Sequence, residues 1–181
     1  MVPGLGGGLQ LDVRSFKEQR FSSVMRQPYD FSCGSEALAS LLSYHYGYEV
    51  TEQAVFSGMY ALSDPVTVGR EGFSMLDMKR FLESEGFRAD GLRMPLAGLR
   101  EKVRLPVIVL VNIDGFRHFV IIKGISETEV FVGDPARGLK VYSRAQFEDY
   151  CDGAAFVIRS HLAQGRETFL VEGDWPQLAR A

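Results

Sequence analysis

The chain has 181 residues, 46% of them hydrophobic and 12% aromatic, which is enough apolar material for one sizeable core in one domain. A net charge of −3, with the basic residues scattered, excludes the electrostatic footprint of a nucleic-acid or anionic-lipid binder. No apolar run reaches the roughly 18 residues of a membrane span, and residues 1–25 lack the charged, apolar and cleavage regions of a secretory signal.

Residues 1–11, with Gly4, Gly6, Gly7 and Gly8 and no periodicity, predict a flexible tail. The loose alternation over 10–25 predicts an arm or edge strand. Pro28, Asp30 and Ser32 then punctuate the approach to Cys33, where Ala37, Leu38, Leu41, Leu42 and Tyr46 recur at helical spacing until Gly47 ends the run. Further helices are predicted over 51–62, over 74–84 with Leu76, Met78, Phe81 and Leu82 inward, and over 96–103. The front half thus reads as helical.

The pattern changes at Pro106. Runs at 106–113, 116–125 and 129–132, parted by Asp114-Gly115 and by residues 126–128, predict a meander of antiparallel hairpins. A strand pair at 139–142 and 154–160 brackets a helix at 144–150, and residues 161–181 read as an extension returning over the surface. The fold class expected is α+β, helices first and sheet second.

A cysteine on the first turn of a helix is poised for chemistry, because free N–H groups and the positive end of the helix dipole favour thiolate, the nucleophilic form. Gln27, six positions earlier, can curl back beside it as an oxyanion donor. The base must be a histidine. His45 lies twelve residues along the same helix, roughly 18 Å away, and reads as structural. His161 lies beyond the last strand, whereas His118 opens an apolar strand directly after a turn. If that strand returns as a hairpin, residues near 134 or 135 come back opposite His118, the exact facing turning on one residue of loop length, and Asp134 is the natural partner to fix its tautomer. Three scattered histidines and two distant cysteines offer no zinc-ligand spacing, and no cofactor is expected.

Gln27 and Cys33-Gly34, then His118 before an apolar strand, then Asp134-Pro135-Ala136 with Gly138, resemble the motif series of the double-glycine, bacteriocin-processing cysteine peptidases of the papain-like clan. Many members precede an ABC transporter. This chain has no phosphate-binding loop and is similar to stand-alone members, such as those attached to bacterial functional-amyloid secretion systems. The resemblance implies a papain-like fold, an N-terminal helical lobe packed on a C-terminal antiparallel β-sheet lobe, over residues 12–160. It also implies cleavage after Gly-Gly, with Cys33, His118, Asp134 and Gln27 as the catalytic set. The expected partners are a protein or peptide with a Gly-Gly site and secretion-system components, and the expected location is the bacterial periplasm, otherwise the cytoplasm. Cys151 stands where the family pattern leads one to expect an aromatic residue. Alternative readings are an inactive peptidase-like module that binds a leader or fibril segment, a structural Cys33–Cys151 disulfide, and acyl transfer to an amine.

Overall fold

The structure is a computed structural model that describes residues 32–171 together with Trp175 and Ala179. The expected tail, the arm at 10–25 and Gln27 lie outside the described residues. Helix α1 (Cys33–His45) is followed by α2 (Glu52–Ala61), α3 (Pro65–Glu71) and α4 (Met75–Ser84). Next come strand β1 (Ala89–Arg93) and a short helical turn, α5 (Leu96–Gly98), that runs on as a π-helical turn over Leu99–Val103. Strands β2 (Val107–Ile113), β3 (Phe116–Ile125), β4 (Glu129–Asp134) and β5 (Gly138–Ser143), helix α6 (Arg144–Tyr150), strand β6 (Cys151–Ile158) and helix α7 (Leu162–Thr168) complete the order.

The helix starts follow from local chemistry. Thr51 accepts from the Ala54 N–H, Asp64 from the Thr67 N–H with Pro65 in the first turn, and Ser74 and Asp77 form a reciprocal capping box. That box changes the expected face of α4. Asp77 turns inward to Ser63 Oγ (2.7 Å) and joins Met78, Phe81 and Leu82 inside, while Leu76, about 200° around the helix from Met78, is 53% exposed.

The strands form one antiparallel sheet in the order β1-β6-β2-β3-β4-β5. The β2–β3 hairpin closes through Asp114 (φ 55°) and Gly115 (φ 84°) with Ile113 opposite Phe116, the two positive φ angles that match strand twist. Two expectations are corrected here. The front half contains a strand, β1, and the strands flanking α6 do not pair with each other: β5 lies on the β4 edge, whereas β6 inserts between β1 and β2. The physical reason is non-local, since Ala89–Arg93 has little strand propensity of its own and is held by register with β6.

The sheet is covered on both faces, which explains the nearly unbroken apolar runs in β2 and β3. Alternate residues sort cleanly: Ile108, Phe119, Ile121, Phe156 and Ile158 join α1, α2 and α4 in one core. Val107, Val109, Val120, Ile122 and Val157 pack with Phe147, Leu96 and Leu99 in the other. Helix α1 lies across β3, so the helix that begins at Cys33 and the strand that carries His118 meet directly.

Beyond β6, Leu170 exchanges backbone hydrogen bonds with β3 beside Gly124, and Trp175 stacks on Phe131 while its N–H donates to Glu129 (2.8 Å). Gly124 permits this approach, because a Cβ there would lie 2.5 Å from the Leu170 carbonyl oxygen and 2.6 Å from the Trp175 ring. Gly124→Ala is therefore expected to displace this segment and cost about 1–3 kcal/mol, as overpacking does. Thermal unfolding measures the loss, and emission from Trp175, the sole tryptophan, should shift to the red.

Candidate active site

Cys33 occupies the first position of α1 and is half-buried. The helix can begin there because Gly34 leaves no side chain in a tight spot: a Cβ on it would meet the Phe73 Cβ at 3.0 Å and the Met78 methyl at 3.3 Å. Burial pushes the thiol pKa up, and backbone N–H groups of Phe119, Gly34 and Cys33 itself, which point at the sulfur, pull it down. The net direction is upward. The helix terminus alone led to the opposite expectation, and desolvation by the packed helix–sheet interface reverses it.

The Phe119 N–H belongs to the residue directly after His118, so the sulfur lies against the histidine-bearing strand. His118 is fully buried, with Phe116 stacked on its ring at 4.8 Å. Its Nε2 is 2.9 Å from Asp134 Oδ2, and its buried Nδ1 has no hydrogen-bond partner. With Asp134 ionised, Nε2 carries the proton it donates, and the Nδ1 lone pair is left to act as a base. Asp134 is itself fixed: its Oδ1 accepts from the N–H groups of Ala136 (2.8 Å) and Arg137 (3.1 Å). The Asp-Pro turn and the contact with histidine thus use opposite oxygens of one carboxylate.

A groove of about 730 Å³ opens on Cys33, walled by Phe73, Met75, Leu110 and Phe119, with Arg70 and Arg117 also lining it. A smaller cavity, about 330 Å³, adjoins Leu96, Leu99, Val109 and Cys151 on the sheet face opposite α1 and includes none of the expected catalytic residues. The two cysteines are free thiols, with Cys151 opposite Val111 in the sheet.

The other histidines are engaged elsewhere. His45 Nε2 is 2.7 Å from Lys123 Nζ and its Nδ1 2.8 Å from Thr168 Oγ1, tying the far end of α1 to β3 and α7. His161 packs at an angle on Phe87, with ring centres 5.0 Å apart. Sequence reasoning overlooked Phe116 and Arg117, whose signal was adjacency to His118 on an alternating strand. It also overlooked Phe73 and Met75, which reach the groove only through tertiary packing.

The model of the Peptidase C39 family matches residues 22–161. The chain belongs to that family. This C39 peptidase is 45% identical over 157 residues to the "Probable functional amyloid protease FapD" of Pseudomonas aeruginosa, covering 87% of this chain and 69% of that protein. Among solved structures, a double glycine motif protease from an AMS/PCAT transporter, in complex with its leader peptide, superposes with a TM-score of 0.62 at 25% identity. That match covers 75% of this chain and 89% of the transporter protease. The peptidase domain of Streptococcus ComA gives 0.63 at 20% identity over 75% and 96% of the two chains, a likeness of fold. The C39 chain is accordingly a cysteine peptidase with the papain-like α+β fold. No helix among its described residues is long and apolar enough to cross a membrane.

Proposed function

We propose that this C39 peptidase cleaves an exported protein after a Gly-Gly pair through a thioester acyl-enzyme, with Cys33 as nucleophile, His118 as base and acid, Asp134 as its orienter and Gln27 as oxyanion donor. The observation that carries the reading is His118, bonded through Nε2 to a fixed carboxylate, with Nδ1 unpartnered on the strand that touches the Cys33 sulfur. A histidine held in this way takes a thiol proton and later returns it.

In the reaction, Nδ1 accepts the Cys33 proton and the thiolate attacks the carbonyl carbon of the second glycine. The tetrahedral oxyanion is met by the Cys33 N–H and the Gln27 amide. Collapse breaks the C–N bond, Nδ1–H protonates the leaving amine, and a water then attacks the thioester, giving its proton to Nδ1 and releasing the new carboxylate. Glycine selectivity follows if the groove next to Cys33 is too narrow for a Cβ, which rejects other residues by clash. The likeness to FapD supports a substrate that is a functional-amyloid component or its secretion partner, met in the bacterial periplasm.

The test is cleavage of a synthetic peptide carrying one Gly-Gly pair, read by mass spectrometry. Changing the second glycine to alanine should lower kcat/KM by about a hundredfold, a steric discrimination. Equal cleavage of both peptides would remove the Gly-Gly assignment. Binding of peptide without cleavage would replace the enzyme reading with that of an inactive peptide-binding module.

A further inference from the structure

One buried acid near the catalytic residues has no part in that mechanism. Glu36 lies one helical turn after Cys33 on α1 and is fully buried, and both of its carboxyl oxygens lack a hydrogen-bond partner. The contrast with Asp134 is direct. Asp134 is equally buried, yet three donors satisfy it: the His118 ring and the N–H groups of Ala136 and Arg137. Two carboxyl groups thus share one interface, one with every need of an anion met and the other with none. Such a pair divides into one charged and one neutral member.

We propose that Glu36 is a positioning residue of the peptidase: a neutral carboxylic acid, it leaves Asp134 the single anion beside His118, and its ionisation in alkali suppresses the Cys33 thiolate. The inference rests on the reading of Cys33 and His118 as the reacting pair.

The groups facing Glu36 point one way. Helix α2 brings Glu52, already accepting from Ser35 Oγ (2.8 Å), and β4 brings Asp134, both repelling a further negative charge. Burial first, then these two charges, pushes the Glu36 carboxyl up to about 9. Of the other elements packed on α1, α4 carries Asp77, committed to Ser63 and Ser74, and β3 carries His118, bonded to Asp134, and Lys123. Lys123 meets His45, nine residues and roughly 13 Å along the helix from Glu36. Neighbours three apart on a helix face lie about 5–6 Å apart, so a charge on Glu36 acts directly on the sulfur, and its effect on the thiol is upward. That repulsion works in the same direction as the burial that already raises the thiol.

Stability carries the same signature. The folded-state pKa lies above the ordinary value of 4.5, so the folded chain holds an extra proton between about 4.5 and 9. The contribution of Glu36 is fully present below that window and is lost as pH rises through it. A neutral isostere has no such slope, and Glu36→Gln or Glu36→Met should match the wild-type Tm near pH 5 and exceed it at pH 9.

The deciding experiment is the rate of iodoacetamide labelling of Cys33, mapped by peptide mass so that Cys151 reads separately, from pH 6 to 10.5. The ratio of E36Q to wild type should stay near one up to about pH 8 and rise several-fold by pH 10, as Glu36 takes its charge in the wild type alone. E36M should follow E36Q. A ratio that is flat across the range, at one or at any other value, overturns the proposal, as does failure of both variants to fold. Labelling requires no turnover, so a chain that cleaves no Gly-Gly peptide still returns this ratio. Cleavage at pH 7 by a chain with a flat ratio would retain the peptidase and dismiss Glu36.

Discussion

Replacing Cys33 with alanine is expected to abolish peptide cleavage while leaving Tm within about 4 °C of the wild type. The first part follows from the chemistry: without the sulfur no thioester forms, and among the described residues the other thiol, Cys151, sits beside the cavity on the opposite sheet face. The second follows from packing. Cys33 is half-buried at the end of α1, so removing one sulfur there costs about 1 kcal/mol, which in a domain of this size moves Tm by roughly 2–4 °C. Cys33→Ser should be equally inactive, because a hydroxyl beside the same imidazole is a far weaker acid than a thiol. Cleavage assays with unfolding curves on the same preparations check both parts. Turnover above background by Cys33→Ala would transfer the nucleophile to another residue.

The elements that carry this chemistry were legible because local signals specify them. Ala37, Leu38, Leu41 and Leu42 mark α1, and Asp114-Gly115 marks the hairpin that launches β3. The β-branched run that follows Phe119, opening after that turn, reads as a strand, and only the structure shows it covered on both faces. His118 and Asp134 sit on strands joined by a short turn, so their meeting was a matter of register, and the observed register, with Ile121 opposite Gly133, brings Asp134 level with Val120, from where it reaches His118 diagonally and not from directly opposite. What escaped was non-local. β1 is a strand because β6 is its neighbour, and Leu76 faces outward because Asp77 is needed inside for Ser63 and Ser74. Helix α3 did announce itself, through Asp64 as cap and Pro65 behind it, but seven residues gave too little periodicity to read. Glu36 is the instructive case. A glutamate in a helix reads as solvated, and only the assembled interface reveals it as an acid with no partner.

The same interface accounts for the direction of the Cys33 shift. A sulfur at a helix terminus in water would gain acidity from the terminal N–H groups, whereas here the helix is pressed onto β3 and the groove excludes part of the solvent. Three amides aimed at the sulfur recover some of that loss. In the proposed mechanism the remaining stabilisation of thiolate comes from His118 once it has taken the thiol proton. The proposed nucleophile and base are in that case coupled: neither has the charge it needs without the other.

That coupling makes the expected effect of His118→Ala large. Loss of the base should lower kcat/KM by about two to four orders of magnitude, the usual worth of general acid–base catalysis. It should also remove the imidazolium that favours thiolate, so iodoacetamide labelling of Cys33 at pH 7 should slow in parallel. A residue of purely structural importance would not produce this joint loss. Because His118 is fully buried and bonded to Asp134, the alanine variant leaves a buried carboxylate short of one donor, and His118→Gln, which keeps a donor of similar reach, serves as the folding control. The other histidines provide the contrast. His161→Ala, which removes only a ring packed on Phe87, should stay within a few fold of wild type. His45→Ala, which breaks contacts to Lys123 and Thr168, should lower Tm far more than kcat. Inactivity of His161→Ala together with an active His118→Gln would place the base on the wrong strand and refute the Cys33–His118–Asp134 assignment.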